Sequence, residues 1–263
     1  MKHGFLEILL LSLHKTDPEL ALHSKRVACY ASEIAKLLGH DDKFKKLFMA
    51  GLLHDLGFLS LDINFSEGTL DLTQEKTIKL FQSHVTESER LLSNLTSDKE
   101  LLETIRHHHE KFDGGGYPDQ LQGENIPLTA RILAVADLYD SLLVGKLYGE
   151  TRLTPADAIE QITNANNEIS LDPTIVDALM KLLDKNPVFL QPEEHNSLGV
   201  YSMIFLNAGP LEQGDLVNQD GTILIKQGVT LDEKTLEKIR LEFPGQKLIR
   251  PVEDEIDKVL END

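Results

Sequence analysis

The sequence predicts a mainly α-helical domain, a helical bundle, followed by a small α+β domain. Three observations support this: repeated helix-start signals, apolar residues at helical spacing, and a change of character after about Asn186. The chain has 263 residues, of which 41% are hydrophobic and 27% are charged. That length allows one large core, or a core with a smaller satellite domain. We expect the helical domain at residues 1–190, the α+β domain at 198–252 and an acidic tail at 253–263.

The first two predicted helices lie near the start of the chain. Asp17-Pro18 places a capping side chain before a proline at the first helical position. The helix that follows carries apolar residues along one stripe as far as Leu38, and Gly39 ends it. A second helix is predicted from about Asp42 to His54.

Later helices carry similar start signals. Ser97 with Glu100 resembles a capping box. Pro127 opens a helix that is apolar enough to be the buried centre of a bundle. Thr154-Pro155 and Asp172-Pro173 repeat the cap-then-proline signal and predict two more helices.

The α+β domain is predicted from strand patterns and turn residues beyond Pro187 and Pro192. We find no chemistry-bearing motif in it and interpret it as a packing or a dimerisation unit; in the second case the protein would be a homodimer. Its predicted elements are strands at 200–206, 222–226 and 247–250, a helix at 231–243, and turns at 207–210 and 220–221.

Bulk properties exclude some partners. The formal net charge of −18 disfavours DNA and RNA, whose binding requires Lys and Arg to neutralise phosphates. The single cysteine, Cys29, cannot form an internal disulfide, which fits a reducing compartment. The apolar stretch from Phe5 to Leu13 is much shorter than the roughly 20 residues that a membrane span needs. We therefore expect a cytoplasmic protein that binds neither nucleic acid nor a membrane.

Dispersed histidines and acids are the candidate chemistry. Glu19 and His23 are four residues apart and share a helix face, although taken alone they are better explained as a solvated pair near a helix start. The doublet His54-Asp55 ends an apolar helix, and Asp137 lies inside an apolar run. Burying such groups is costly unless a cation or another partner satisfies them. His84 alone is uninformative, and the run from His107 to His109 also fits a solvated helix end.

Taken together, these groups are five histidines and three carboxylates, a donor set that suits two or three transition metal ions. The absence of cysteine ligands argues against a structural zinc site. The eight candidate ligands are Glu19, His23, His54, Asp55, His84, His108, His109 and Asp137.

Four motifs occur in order along the helical part of the chain. They are His23-Ser24-Lys25-Arg26-Val27, His54-Asp55-Leu56-Gly57, the run from His108 to Pro118 that ends in Gly-Tyr-Pro, and Arg131 to Asp137. With these motifs, residues 5–186 resemble the HD-GYP family, a branch of the HD phosphohydrolase superfamily. The α+β domain weakly resembles a module that follows HD-GYP domains in some bacterial proteins.

The resemblance implies a helical bundle with a central metal site that hydrolyses cyclic di-GMP or a related cyclic dinucleotide. Seven of the eight candidates fall on the family's ligand positions, and Glu19 falls on a position that supports a third metal in some members. The implied cofactors are two or three divalent ions, Fe or Mn. Asp55 would bridge two ions. A bridging hydroxide would attack phosphorus and release pGpG, with GMP if the second bond is cut.

We assign the catalytic role to His54 and Asp55, and substrate contacts to Lys146 and Tyr117. The Gly-Tyr-Pro loop itself looks structural, because its glycines permit tight turns beside the site.

Three departures from the family remove positive charge. Phe58 stands where the family has lysine. Ser66-Glu67-Gly68 stands where the family has Lys-Pro-Gly. The family also has two basic residues in the stretch after Asp137; here the first is Lys146 and the second is replaced by Gly149. Each lost contact to a charged group would remove roughly 1.5–3 kcal/mol. Because a lysine at position 58 could contact a substrate phosphate, Phe58→Lys is expected to raise the rate of cyclic dinucleotide hydrolysis.

Two functions therefore stay open. The first is a cyclic di-GMP phosphodiesterase that is slow or has an altered substrate preference. The second is a catalytically weak or inactive protein that senses a cyclic dinucleotide or docks partners such as diguanylate cyclases.

Overall fold

The structure, a computed structural model, describes residues 13, 15–61, 74–145, 152–164 and 170–185, together with four short strand segments beyond residue 208. The chain divides into two compact units, Met1–Pro192 and Glu193–Asp263. No described helix is both long and apolar enough to cross a membrane.

Within its described residues the first unit is helical. Short 3-10 helices lie at Asp41–Lys43, Leu56–Ser60 and Gly123–Asn125. The α-helices are α1 (Pro18–Leu37), α2 (Phe44–Leu53), α3 (Glu75–Gln82), α4 (His84–Ser93), α5 (Lys99–Arg106), α6 (Leu128–Val144), α7 (Pro155–Thr163) and α8 (Pro173–Lys185). The predicted mainly α fold is thus confirmed.

Capping side chains fix several helix starts. Asp17 accepts from Leu20 N at 3.0 Å, as predicted. The predicted capping box at Ser97 is wrong by one residue, because Asp98 caps α5 and accepts from Leu101 N at 3.1 Å. Asp98 has the extended backbone that a cap requires. Glu100 pairs with Lys46 across the bundle instead of closing a box.

Helix α6 lies at the centre of the bundle, as its apolar sequence predicts. Fourteen of its 17 residues are buried, and it packs against α1, α2, α5, α7 and α8. Helices α1 and α2 also approach closely. A Cβ on Gly51 would lie 2.4 Å from Ala28 Cα, so this crossing requires glycine. These contacts bring the ends of α2 and α5 and the middle of α1 towards α6.

The second unit is described at four strands, each paired antiparallel. Strand β1 (Gly209–Pro210) pairs with β4 (Thr230–Leu231), and β2 (Leu216–Val217) pairs with β3 (Ile223–Ile225). Strand β3 confirms the centre of the strand predicted at 222–226. The turn predicted through Pro210 and the helix start at Leu231 are wrong, because pairing between these distant segments overrides the local signals. The predictions for 200–206, 232–243, 247–250 and the tail at 253–263 lie outside the described residues.

Candidate metal centre

Seven of the eight predicted ligands meet in one buried site. His23 lies on α1, the His54-Asp55 doublet follows α2, and His84 begins α4. His108 and His109 follow α5, and Asp137 lies on α6. Four of the five histidines are fully buried, and only His109 is partly exposed. Packing against α6 thus collects donors that are more than a hundred residues apart in sequence.

Asp55 lies in the middle of the site. Its Oδ1 is 3.3 Å from His84 Nε2 and 4.0 Å from His108 Nε2. Its Oδ2 is 3.3 Å from His54 Nε2 and 3.8 Å from His23 Nε2. Each carboxylate oxygen therefore faces a different pair of imidazoles, which is the arrangement that a bridging ligand needs.

Asp137 contributes a second carboxylate. Its Oδ1 is 3.1 Å from His23 Nε2 and 3.7 Å from His54 Nε2, and its Oδ2 is 4.0 Å from His109 Nδ1. The two acids together put a ligand oxygen near each of the five imidazoles.

Three imidazoles are oriented by the end of the helix that precedes them. Nδ1 of His54, His84 and His108 lies 2.7, 2.7 and 2.6 Å from a carbonyl oxygen three residues earlier. The last carbonyls of a helix lack intrahelical donors, so they are free to accept. Since a carbonyl can only accept, each Nδ1 carries the proton and each Nε2 presents a lone pair to the site.

The buried site is short of hydrogen-bond partners. Nε2 of all five histidines and both oxygens of Asp55 are buried without a hydrogen bond. Seven such atoms in one place would be very costly, because nearly all buried polar groups are satisfied. Divalent cations satisfy all of them at once, and nitrogen and oxygen donors suit transition metals. The residues therefore fit a metal centre.

The site residues form three overlapping groups of three donors, in each of which the ligand atoms lie within 4.8 Å of one another. The groups are His84, His108 and His109; His23, His54 and Asp55; and His54, His108 and Asp137. Asp55 lies between the first two groups, with Oδ1 towards His84 and Oδ2 towards His54, so it could be shared by two ions. A further group of His107, Glu110 and Asp119 has its atoms engaged in hydrogen bonds and is not part of the site.

Burial and charge set the protonation of the ligands. Burial lowers the pKa of His108 and His109 well below the usual value, which keeps both neutral. Burial also lowers the pKa of His23, but the nearby carboxylates of Asp137 and Asp140 outweigh it and raise that pKa to about 9. For Asp137, burial raises the pKa, yet His23 and His54 together lower it well below its usual range. Metal binding would therefore displace a proton from His23.

Glu19 is not brought into the cluster. It is exposed in the first turn of α1, and it is absent from the donor groups formed by the described residues. Burial lowers the pKa of Arg26 and Asp140 raises it more, and the charge of Glu19 only adds to that rise. A third ion at Glu19 stays a prediction.

Phe58 is part of the core. It is 5% exposed and packs in an apolar cluster with Leu13, Leu20, Ala21 and Phe81. Its ring stacks on His84, with centroids 4.3 Å apart and planes inclined by 18°. Sequence reasoning noticed the missing lysine but not this contact, which depends on α3 and α4.

The Gly-Tyr-Pro loop closes against the site. The ring of Tyr117 stacks on His109 at 5.0 Å, and Tyr117 N donates to His109 O at 3.2 Å. Buried Glu110 accepts from Asp119 N at 2.7 Å and from Leu121 N at 3.1 Å. The structural role predicted for the loop is consistent with these bonds, although Glu110 had no role in the prediction.

Sequence reasoning also missed supporting residues. Ser88 accepts from Gly57 N at 2.7 Å and donates to His54 O at 2.6 Å, so it links the turn from His54 to Gly57 to helix α4. Asp140 accepts from Nδ1 of His23 at 2.7 Å. Its position three residues after Asp137 on a buried helix is a signal that could have identified it.

Lys146, Gly149 and the stretch at 66–68 lie outside the described residues.

The model of the HD domain family matches residues 8–175. The chain belongs to the HD domain family. This chain is 33% identical over 202 residues to the 3'3'-cGAMP-specific phosphodiesterase 3 of Vibrio cholerae, over 74% of this chain and 42% of the relative. It is 35% identical over 180 residues to the cyclic di-GMP phosphodiesterase response regulator RpfG of Xanthomonas campestris, over 67% and 47%. The chain thus spans less than half the length of these relatives.

Solved structures share the HD domain fold. A cyclic GMP-AMP-specific phosphodiesterase from Vibrio cholerae superimposes with a TM-score of 0.57 at 18% identity, covering 91% of this chain and 58% of that one. Bd1817, an HDG"Y"P protein from Bdellovibrio bacteriovorus, superimposes with a TM-score of 0.51 at 21% identity, covering 62% and 51%. The family and the helical fold predicted from the motifs are both confirmed.

Proposed function

We propose that this HD domain is a metal-dependent phosphodiesterase that hydrolyses cyclic di-GMP to pGpG, with GMP as the product of a second cleavage. The observation that carries the proposal is the group of seven buried nitrogen and oxygen atoms that lack hydrogen bonds around Asp55. Relatives named as cyclic di-GMP and 3'3'-cGAMP phosphodiesterases support the substrate class.

The chain's own residues have distinct roles in this proposal. His54, His84 and His108 would bind ions through Nε2, because their Nδ1 atoms are held by backbone carbonyls. Asp55 would bridge, with one oxygen for each group of histidines. Bound divalent ions, Fe or Mn, would supply positive charge for the phosphate oxygens and an activated water for attack on phosphorus.

Two residues are proposed to contact the substrate. Tyr117 is partly exposed and stacks on His109, so its ring borders the site from the solvent side. Lys146 follows α6 and would bind a phosphate as the remaining basic residue of its stretch. Tyr117→Phe should therefore change KM more than kcat, provided that the phenol contacts the nucleotide.

A second candidate function is supported by Phe58. A cyclic dinucleotide carries two negative phosphates, and position 58 offers a buried apolar ring in place of a cation. A protein with this site could bind the nucleotide without turnover, or dock a partner such as a diguanylate cyclase.

The test uses the full chain purified without oxygen and loaded with Mn(II) or Fe(II). Cyclic di-GMP and 3'3'-cGAMP are offered separately at equal concentration, and products are separated by chromatography. Metal-stripped protein is the control. Release of pGpG or GMP from cyclic di-GMP, dependent on metal, supports the proposal.

The other outcomes separate the alternatives. Faster turnover of 3'3'-cGAMP would keep the phosphodiesterase and change its substrate. Tight binding of intact nucleotide with no turnover would replace the enzyme by a sensor. Neither binding nor turnover would favour the interaction module.

A further inference from the structure

A buried carboxylate next to the metal centre is outside the predicted ligand set. Asp140 lies on α6, is fully buried, and accepts from Nδ1 of His23 at 2.7 Å through Oδ2. Arg26 donates from Nε to Oδ1 at 2.6 Å and from Nη2 to Oδ2 at 2.9 Å. The guanidinium therefore holds both oxygens of Asp140, a geometry that fixes the carboxylate in position.

The helix position of His23 explains why it needs such a partner. The three other histidines of the metal centre with a bonded Nδ1 follow helix ends and use backbone carbonyls there. His23 lies inside α1, where the carbonyls accept from backbone amides of the same helix. A side-chain acceptor from a neighbouring helix is then required, and Asp140 supplies it from α6.

Arg26 balances the negative charge of Asp140. Arg26 is buried on α1 and faces both Asp140 oxygens, so the two form an ion pair. The site already holds the carboxylates of Asp55 and Asp137. Because Arg26 neutralises Asp140, the third carboxylate orients His23 without adding net negative charge to the cluster.

We propose that Asp140 is a positioning residue of the metal centre, which holds His23 with Nδ1 protonated and Nε2 directed at the two ligand carboxylates. Nε2 of His23 lies 3.1 Å from Asp137 Oδ1 and 3.8 Å from Asp55 Oδ2. Arg26 in turn holds Asp140. The inference rests on the proposed function only in that the cluster binds metal.

The chain contains a matched control for this arrangement. Arg106 donates to both oxygens of Asp119, from Nε at 2.7 Å and from Nη2 at 2.9 Å. His107 Nε2 lies 2.9 Å from the same carboxylate. This second trio also joins one carboxylate to an arginine and a histidine, but it is more exposed, it uses Nε2 of the histidine, and His107 does not belong to the metal centre. Asp119→Asn therefore removes a similar interaction at a place where no ligand is oriented.

The experiment measures Co(II) binding by the full-length chain after metal removal. Wild type, Asp140→Asn and Asp119→Asn are compared by competition with a chelator, by visible absorption of the bound Co(II), and by circular dichroism to establish the folded fraction. We expect Asp140→Asn to bind about 10- to 100-fold more weakly, the usual cost of losing an outer-shell partner. Its Co(II) spectrum should also change, whereas Asp119→Asn should match wild type within about twofold in this comparison.

Two further variants cover other outcomes. Asp140→Glu keeps the carboxylate and should recover part of the lost affinity, which a purely structural role would not require. If Asp140→Asn does not fold, Arg26→Lys, which keeps the charge but loses the planar fork, should show the weaker binding. Wild-type affinity and spectrum in a folded Asp140→Asn, or equal losses in Asp119→Asn, would overturn the proposal.

Failure of the proposed function gives a different pattern. A wild-type chain that binds Co(II) but hydrolyses no cyclic dinucleotide, with weakened binding in Asp140→Asn, would remove the phosphodiesterase and leave the positioning role intact. A wild-type chain that binds no divalent ion would overturn both.

Discussion

The ring of Phe58 stacks on the ring of His84, with centroids 4.3 Å apart, and so forms an apolar wall behind one metal ligand. Phe81 packs against the same two rings. His84 is held by this wall on one side and by the carbonyl of Phe81 at Nδ1 on the other. Phe58, which stands where the resemblance led us to expect lysine, therefore packs against a predicted ligand.

This contact reverses the expectation for Phe58→Lys. A lysine at this position would place a charge in the cluster of Leu13, Leu20, Ala21 and Phe81. The change should lower the free energy of unfolding by about 3–5 kcal/mol, the range for loss of a large buried aromatic side chain. It should also lower the rate, because His84 loses its stacking partner. Urea unfolding and the cyclic di-GMP assay measure the two effects.

The control for this change is Phe58→Leu, which stays apolar. It should cost about 1 kcal/mol and retain metal, as expected for a hydrophobic replacement of similar volume. A Phe58→Lys protein as stable as wild type and faster would restore the expectation drawn from the sequence, in which lysine grips a phosphate.

Asp55→Ala should remove metal and activity together. Both oxygens of Asp55 face imidazoles, Oδ2 towards His54 and Oδ1 towards His84, so the change removes a carboxylate oxygen from both sides of the site. Activity should fall below about 1% of wild type, since even the loss of an outer-shell partner costs about 10- to 100-fold. Metal content by elemental analysis and turnover are measured on the same sample.

The matched control is Asp172→Asn. Asp172 is also buried, but it pairs with Arg131 away from the centre. Its replacement should lower stability and leave the metal content unchanged. A metal-replete, active Asp55→Ala protein would exclude the bridging role.

Gly116→Ala should disturb the loop that carries Tyr117. An added Cβ would lie 2.2 Å from Lys111 N and 2.5 Å from Glu110 Cα, which are backbone atoms that cannot move aside cheaply. We expect a loss of about 1–3 kcal/mol, typical of overpacking, and weaker nucleotide binding. Thermal unfolding and binding assays report the two effects.

The neighbouring glycine provides the comparison. A Cβ on Gly115 would have the side-chain oxygen of Asp113 as its nearest neighbour, at 3.2 Å. Gly115→Ala should therefore be much milder. Equal effects of the two changes would show that the close approach at Gly116 does not hold the loop.

The number of metal ions bound per chain, two or three, depends on whether Glu19 supports a third ion. Its exposure, and its absence from the donor groups of the described residues, lead us to expect two ions per chain and no change in Glu19→Gln. Metal analysis of both proteins, purified without oxygen, measures this. A count of three in wild type that falls to two in Glu19→Gln would establish the third site predicted from the family pattern.

The sequence predicted best those features that depend on residues close together in the chain. Asp17 before Pro18 predicted a helix start, and the cap is present because a short carboxylate can satisfy its own helix's amides. The apolar run around Asp137 predicted a buried helix, and α6 is the centre of the bundle. The turn predicted through Pro210 and the helix start predicted at Leu231 were wrong, because these two segments pair as strands that are distant in sequence.

By itself, the sequence predicted the helical fold and eight candidate ligands of a metal centre, because each motif has its own spacing and residue types. Only the tertiary structure decided which seven of them meet and how they are held. His23 depends on Asp140, which is 117 residues away, and His84 depends on the ring of Phe58. Such contacts arise when helices pack and side chains from separate elements exclude water together, and no local pattern in the sequence records them.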